Sequence, residues 1–131
     1  MQYANAGHPK PLHLSRSAGT VASLVNRSGK GQAALGLLED TVYQSSEVQL
    51  APGDMIMLFT DGLYEVEGPN NDLYSQALLL GGVQRRLQLP AGRIFDELLE
   101  EIRQFSTGAG FTDDVCLVGM ERAAIPPRAN S

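Results

Sequence analysis

The stretch Gly53-Asp54-Met55-Ile56-Met57-Leu58-Phe59-Thr60-Asp61-Gly62 decides how the rest of the chain is read. A turn signal opens it, an unbroken apolar run follows, and a carboxylate then stands directly before a glycine. A short apolar run without alternation suits a strand buried on both faces. Asp61 is therefore expected at the mouth of that strand, on a rigid element, where a hard metal ion finds fixed oxygen donors. Asp113-Asp114 shows the reverse order: the acids come first, and the apolar run Val115-Cys116-Leu117-Val118-Gly119-Met120 follows. If the two runs are antiparallel neighbours, about 4.8 Å apart, both acids fall on one edge of the sheet and can share an ion or a pair of ions. Like charges that close repel, and a bound cation removes the conflict.

At 131 residues the chain is one domain or part of one, large enough for a real core. Apolar content of 43% against 19% charged is that of a globular protein. A net charge of −5, with Lys and Arg scattered along the sequence, argues against a nucleic-acid surface or contact with an anionic membrane. The apolar runs fall far short of the ~20 residues that cross a bilayer, and the N-terminus does not read as a signal peptide. The single cysteine, Cys116, falls inside a predicted core strand and can form no internal disulfide, which points to a reducing cytoplasm. The sequence reads as though it begins within a strand, at Gln2-Tyr3-Ala4, as a fragment would.

The first half reads as β-structure: a strand at Tyr3-Ala4, a turn over residues 5–9, a strand through Leu12-His13-Leu14, and a weaker one over residues 21–25. Residues 42–50 alternate loosely and are expected to form a strand, with Ala51-Pro52-Gly53-Asp54 as the hairpin turn into the central one. Ala34-Leu35-Gly36-Leu37-Leu38 is an apolar patch expected in a loop. The second half turns helical. Residues 73–80 open a short helix that Gly81-Gly82 should interrupt, and Ile94, Phe95, Leu98, Leu99, Ile102 and Phe105 recur at helical spacing as core packing. Residues 106–110 stop that helix, and residues 123–131 read as a disordered tail.

At this point the motifs carry a resemblance. Tyr3-Ala4-Asn5-Ala6-Gly7-His8-Pro9-x-Pro11, Leu35-Gly36-Leu37, Pro52-Gly53-Asp54, Phe59-Thr60-Asp61-Gly62-Leu63-x-Glu65 and Asp113-Asp114 occur in the order seen in one group. The chain resembles the sporulation-stage-II-E-like (SpoIIE-like) serine phosphatases, the bacterial branch of the metal-dependent PPM protein phosphatases. The resemblance covers roughly residues 2–122. It implies an α+β fold, an α-β-β-α sandwich of two antiparallel sheets flanked by helices, with residues 1–122 as the C-terminal portion of that domain. It also implies a two-metal Mg²⁺ or Mn²⁺ site in which Asp61 and Asp113 are metal ligands, with Gly62, Asp114 and His8 supporting the site. The implied reaction is hydrolysis of phosphoserine or phosphothreonine on a small regulatory protein of the anti-anti-sigma kind, by a water the ions activate. No side-chain nucleophile is then required. The family's first metal motif, an aspartate followed by Asp-Gly-His-Gly, is expected upstream of Met1, so this segment alone is expected to be inactive.

Plainer readings stand beside these. Asp-Gly is also a common hairpin turn, and an acid pair before a strand is often just solvated. Asp54 reads as a turn residue after Pro52-Gly53, and His13, between Leu12 and Leu14, as an exposed strand residue. His8 reads as a turn residue near the edge of the site. Gly29-Lys30-Gly31 lacks the flanking Gly and Ser/Thr of a phosphate-binding loop and reads as a flexible loop. The functional alternative to an enzyme is a non-catalytic phosphatase-like module that binds a phosphoprotein or forms a homodimer.

Overall fold

The computed structural model describes residues 1–108 and 110–124. In chain order the elements are β1 (Gln2–Tyr3), β2 (Leu12–Ser15), β3 (Thr20–Ser23), β4 (Ser46–Glu47), β5 (Met55–Phe59), α1 (Gln76–Arg85), α2 (Ala91–Phe105) and β6 (Leu117–Glu121). A four-stranded antiparallel sheet runs in the order β3-β2-β5-β6, and β1 and β4 form a separate two-stranded ribbon. The fold is thus mixed helix and antiparallel sheet, as the resemblance implies. Residues 125–131 of the expected tail, and Ala109 of the expected helix stop, lie outside the described residues.

β5 holds the centre because it can be buried on both sides. Met55, Met57 and Phe59 join Leu12, Leu14 and Val21 in the core that α1 and α2 cover, while Ile56 is buried on the opposite face. That opposite face continues through Leu58 and through Val118 and Met120 of β6, which pair with Leu58 and Ile56. The N-terminal segment lies along part of this face, where Met1 to Ala6 line a cleft with Ile56, Leu58 and Met120. Val118 and Met120 stay 45% and 47% exposed.

The turn into β5 has the geometry its sequence demands. Pro52 supplies the fixed φ, Gly53 takes φ +86°, and the Asp54 amide donates to the Ala51 carbonyl at 3.0 Å. It is not, however, a hairpin turn between two sequential strands. Of residues 42–50 only Ser46 and Glu47 form a strand, and that strand pairs with β1. The polar run Gln44-Ser45-Ser46 leaves no apolar face to lay on the main sheet, and Val42 stands 81% exposed.

His13 corrects its reading as an exposed strand residue. It is half-buried, and its Nε2 lies 2.9 Å from Oδ2 of Asp54, which is buried. Burial alone would raise the Asp54 pKa. The hydrogen bonds from His13 and from the Ala51 amide outweigh it and hold the carboxyl below its ordinary value. Arg16 closes the same end of the sheet: its guanidinium donates to the carbonyls of Gly53, Leu87 and Leu89 and pairs with Glu121 at 3.1 Å.

The expected break at Gly81-Gly82 does not occur, since α1 runs through both to Arg85. The helix begins at Ser75, whose hydroxyl accepts from the Leu78 amide. Gly82 is there for packing. A Cβ on it would stand 3.0 Å from Leu98 Cδ1, 3.1 Å from the Tyr74 hydroxyl and 3.2 Å from Glu101 Oε1, so the missing side chain lets α1 close on α2. α2 presents Ile94, Leu98 and Ile102, each fully buried, as the expected stripe.

β6 departs from its reading in two ways. Cys116 precedes the strand and is exposed rather than buried in a core, because β6 is an edge strand with only its Leu117 and Gly119 side toward the helices. Asp113 and Asp114 likewise lie in the loop before β6 rather than at its first residues.

Three substitutions test this packing. Gly81→Ala meets only the end of Arg85 at 3.5 Å, so helix propensity should stabilise the chain by about 0.5–1 kcal/mol. Gly82→Val should destabilise it by about 2 kcal/mol or more through overpacking. Urea denaturation distinguishes the two signs. Asp54→Asn should be less stable than the parent at pH 6. Because the folded carboxyl is depressed, its contribution is present above the ordinary pKa and fades as pH falls through about 4 toward the folded value. The gap between parent and variant should therefore shrink by pH 3; a constant gap would show that Asp54 contributes no ionised pairing.

Candidate functional site

The central strand and its edge neighbour bring the two acid motifs together. β5 and β6 pair in register from Met55↔Glu121 to Phe59↔Leu117. The ladder continues one step further, with the Thr60 amide donating to the Cys116 carbonyl at 3.1 Å. Beyond it the chain turns at Asp61, which opens a single 3-10 turn, Asp61–Leu63, closed by the Tyr64 amide on the Asp61 carbonyl. The two carboxylate-bearing loops therefore leave the same end of the same strand pair.

Contacts between the loops are direct. Gly62 is buried against the other loop, and a Cβ there would stand 2.5 Å from the Asp114 carbonyl oxygen and 3.2 Å from that of Asp113. Only glycine permits that approach. Thr60, which the sequence reading did not single out, fastens the same junction. Its hydroxyl donates to the Asp114 carbonyl at 2.9 Å and accepts from the Cys116 amide at 3.0 Å. The signal available was its place between the apolar run and the Asp-Gly pair, where a β-branched hydroxyl residue can bond to a neighbouring backbone. Asp113 Oδ1 accepts from the Asp114 amide at 2.7 Å, which bends its own loop.

Asp61, Asp113 and Asp114 are all exposed at this corner. Their donors are oxygens only, the chemistry a hard divalent cation takes. Among the described residues no group of three or more His, Cys, Asp or Glu is placed to hold a metal ion. The corner thus fits such an ion in kind and offers part of its coordination. No hydrogen bond among the described residues links His8 to Asp61, Asp113 or Asp114. The His8 amide donates to Asn5 Oδ1 and its carbonyl accepts from Asn5 Nδ2. It lines a cavity with Leu24, Asn26 and Lys30, and a cleft with Ile56, Leu58 and Met120. Among the described residues no helix is long and apolar enough to cross a membrane.

An antiparallel sheet backed by two helices is also the fold of solved PP2C and RsbU domains. The chain matches the SiaA-PP2C domain of Pseudomonas aeruginosa with a TM-score of 0.68 over 86% of its length and 42% of that chain, at 21% identity. It matches the RsbU and RsbW domains of Rv1364c from Mycobacterium tuberculosis with a TM-score of 0.75, at 29% identity, over 96% of its length and 34% of that chain. The profile of the family "Stage II sporulation protein E (SpoIIE)" matches residues 1–123, and the chain belongs to that family. Similar proteins include the phosphoserine phosphatase RsbU of Bacillus subtilis, 32% identical over 113 residues, covering 84% of this chain and 32% of RsbU. Protein IcfG of Synechocystis sp. is 21% identical over 122 residues, covering 93% of this chain and 18% of IcfG. The chain thus spans a third or less of the length of these two relatives.

Replacing Gly62 with Ala should force the loops apart and cost about 1–3 kcal/mol. Thr60→Val, which loses two exposed hydrogen bonds at nearly constant shape, should cost about 1 kcal/mol. Chemical denaturation of the two variants measures the order; equal or reversed costs would contradict the close approach at Gly62.

Proposed function

We propose that residues 1–122 are the C-terminal portion of a metal-dependent protein serine/threonine phosphatase domain. Its substrate is a phosphorylated regulatory protein of the anti-anti-sigma kind. The observation that carries this reading is the meeting of the Asp61-Gly62 turn with the Asp113-Asp114 loop. Membership of the family, and likeness to a phosphoserine phosphatase, support the reaction type.

In this reading Asp61 and Asp113 each contribute carboxylate oxygens to a Mg²⁺ or Mn²⁺ site. Six or more oxygen donors complete such a shell, so the remainder come from water and from groups beyond these two loops. When bound, the ions supply Lewis-acid stabilisation of phosphoryl oxygens and lower the pKa of water. The chain's own residues hold that arrangement in place. Gly62 lets the two loops touch, Thr60 locks the Asp114 carbonyl, and the paired strands fix both acids to a rigid support. Asp114 keeps a second carboxylate beside Asp113, where it adds negative potential that draws a cation in. The cytoplasm is the compartment in which a phosphoprotein substrate of this kind is met.

The second reading is a phosphatase-like module that binds a phosphoprotein without hydrolysing it. The observation favouring it is that the described residues bring together no group of three metal-ligating side chains. Hydrolysis of an aryl phosphate by the natural protein containing this segment separates the two. With Mn²⁺ present, Asp61→Asn should lower turnover at least about 100-fold, and Asp113→Asn should do likewise. Undiminished turnover in either variant would refute the assignment. Absence of turnover in the parent, with the phosphoprotein still retained, would establish the binding module.

A further inference from the structure

A cavity of about 200 Å³ lies beside the N-terminal turn, lined among others by His8, Lys10, Asn26, Lys30, Gly31 and Gln32. Its charge is opposite to that of the molecule. The chain carries −5 overall and only two lysines, Lys10 and Lys30, yet both line this one cavity and no Asp or Glu does. Neither lysine takes part in an ion pair among the described residues, whereas the arginines Arg16, Arg85, Arg86, Arg93 and Arg103 all do.

The wall is shaped rather than loose. The Gly29 amide donates to the Asn26 carbonyl at 2.7 Å, and Asn26 Nδ2 donates to the Lys30 carbonyl at 2.8 Å, so the Gly29-Lys30-Gly31 segment is drawn into a closed turn. Gly29 takes φ +69°, which glycine supplies without strain. Across the cavity, Asn5 brackets His8 through its amide and carbonyl. His8 Nδ1 donates to the Pro9 carbonyl, which fixes the ring. Gln32 anchors its Nε2 on the Val42 carbonyl at 3.1 Å, and its Oε1 is buried without a hydrogen-bond partner among the described residues.

We propose that this cavity is a binding subsite for a phosphate dianion, free or carried as a monoester. Two unpaired ammonium groups suit a group carrying a charge of about −2. The volume is below the roughly 300 Å³ at which sites for whole small molecules begin, so the occupant is a phosphoryl group and not a nucleotide. The shared chemistry has two sources, free phosphate and a phosphorylated side chain of a peptide. The site stands apart from the acid corner and requires no hydrolysis there.

Amide NMR titration of the full chain, in low-salt buffer with a chelator to exclude metal, tests the proposal. The probes are inorganic phosphate, N-acetyl-phosphoserine amide and its unphosphorylated counterpart. Saturable shifts at Lys10 and residues 29–32 are expected, with a dissociation constant on the order of 1 mM because the lysines are solvent-exposed. The unphosphorylated amide should produce none. Lys10→Gln and Lys30→Gln should each weaken binding about threefold to tenfold, the double variant should abolish it, and Lys30→Arg should retain it. Tighter binding of the blocked phosphoserine would identify a phosphopeptide as the occupant; equal binding would identify the free anion. Absence of saturable shifts, shifts centred on residues other than these, or undiminished affinity in the folded double variant would overturn the proposal. Since no metal is present and no turnover is read, either result leaves the hydrolase reading to its own test.

Discussion

The antiparallel pairing of the central strand with its edge neighbour is the constraint from which the functional corner follows. Two carboxylates more than fifty residues apart in sequence cannot be held near each other by local chain stiffness. They meet because five consecutive residue pairs fix the register of the two strands, and one further amide of Thr60 extends it. A slip of one residue would send every side chain of the pair to the other face. Met55, Met57 and Phe59 would then leave the helices for the opposite side, so burial of the core and alignment of the acids are enforced by the same register. Strength of packing and placement of chemistry are one problem here.

The helical layer is matched to that sheet through absences as much as through side chains. Gly82 allows α1 to approach Leu98 and Glu101, and Gly119 allows Phe95 to reach down to β6 beside Met55. Glu101 anchors the joint. Burial would raise its pKa, but Arg85, Arg86 and the Tyr74 hydroxyl together hold it lowered. A half-buried carboxylate with three donors is a costly group to leave unpaired, so it favours one relative orientation of the helices. Arg16 plays the equivalent part at the far end of the sheet, tying the β2–β3 turn to the α1–α2 connection through backbone carbonyls.

Much of this was legible in the sequence where a residue's role is local or periodic. The unbroken run from Met55 to Phe59 announced the central strand, the spacing of Ile94, Leu98 and Ile102 announced α2, and Pro52-Gly53 announced the turn between Ala51 and Asp54. The motif series carried the family, and the order of acid and apolar run in the two segments anticipated that they would leave one end of a strand pair. What escaped was decided by tertiary partners. Gly81-Gly82 reads as a break until Leu98 and Tyr74 are known to need the space. His13 reads as solvent-facing until Asp54, forty-one residues away, turns out to be buried beside it. Residues 42–50 have the composition of a strand but only a two-residue pairing partner in β1. Cys116 falls one position before the strand that was expected to bury it, and an edge strand buries little in any case. Nor could the sequence place Lys10 and Lys30 on one cavity wall, since twenty residues separate them and no periodicity links them.

The position of Cys116 has a use of its own. The chain has one thiol, and it stands exposed on the residue whose amide and carbonyl both bond to Thr60, immediately beside the Asp113-Asp114 loop. A maleimide dye attached there needs no engineered attachment point and no removal of competing sulfhydryls. Its emission would report on the local environment within a few ångströms of the acid corner, turning ion capture or loop separation into an optical signal from the unmutated polypeptide.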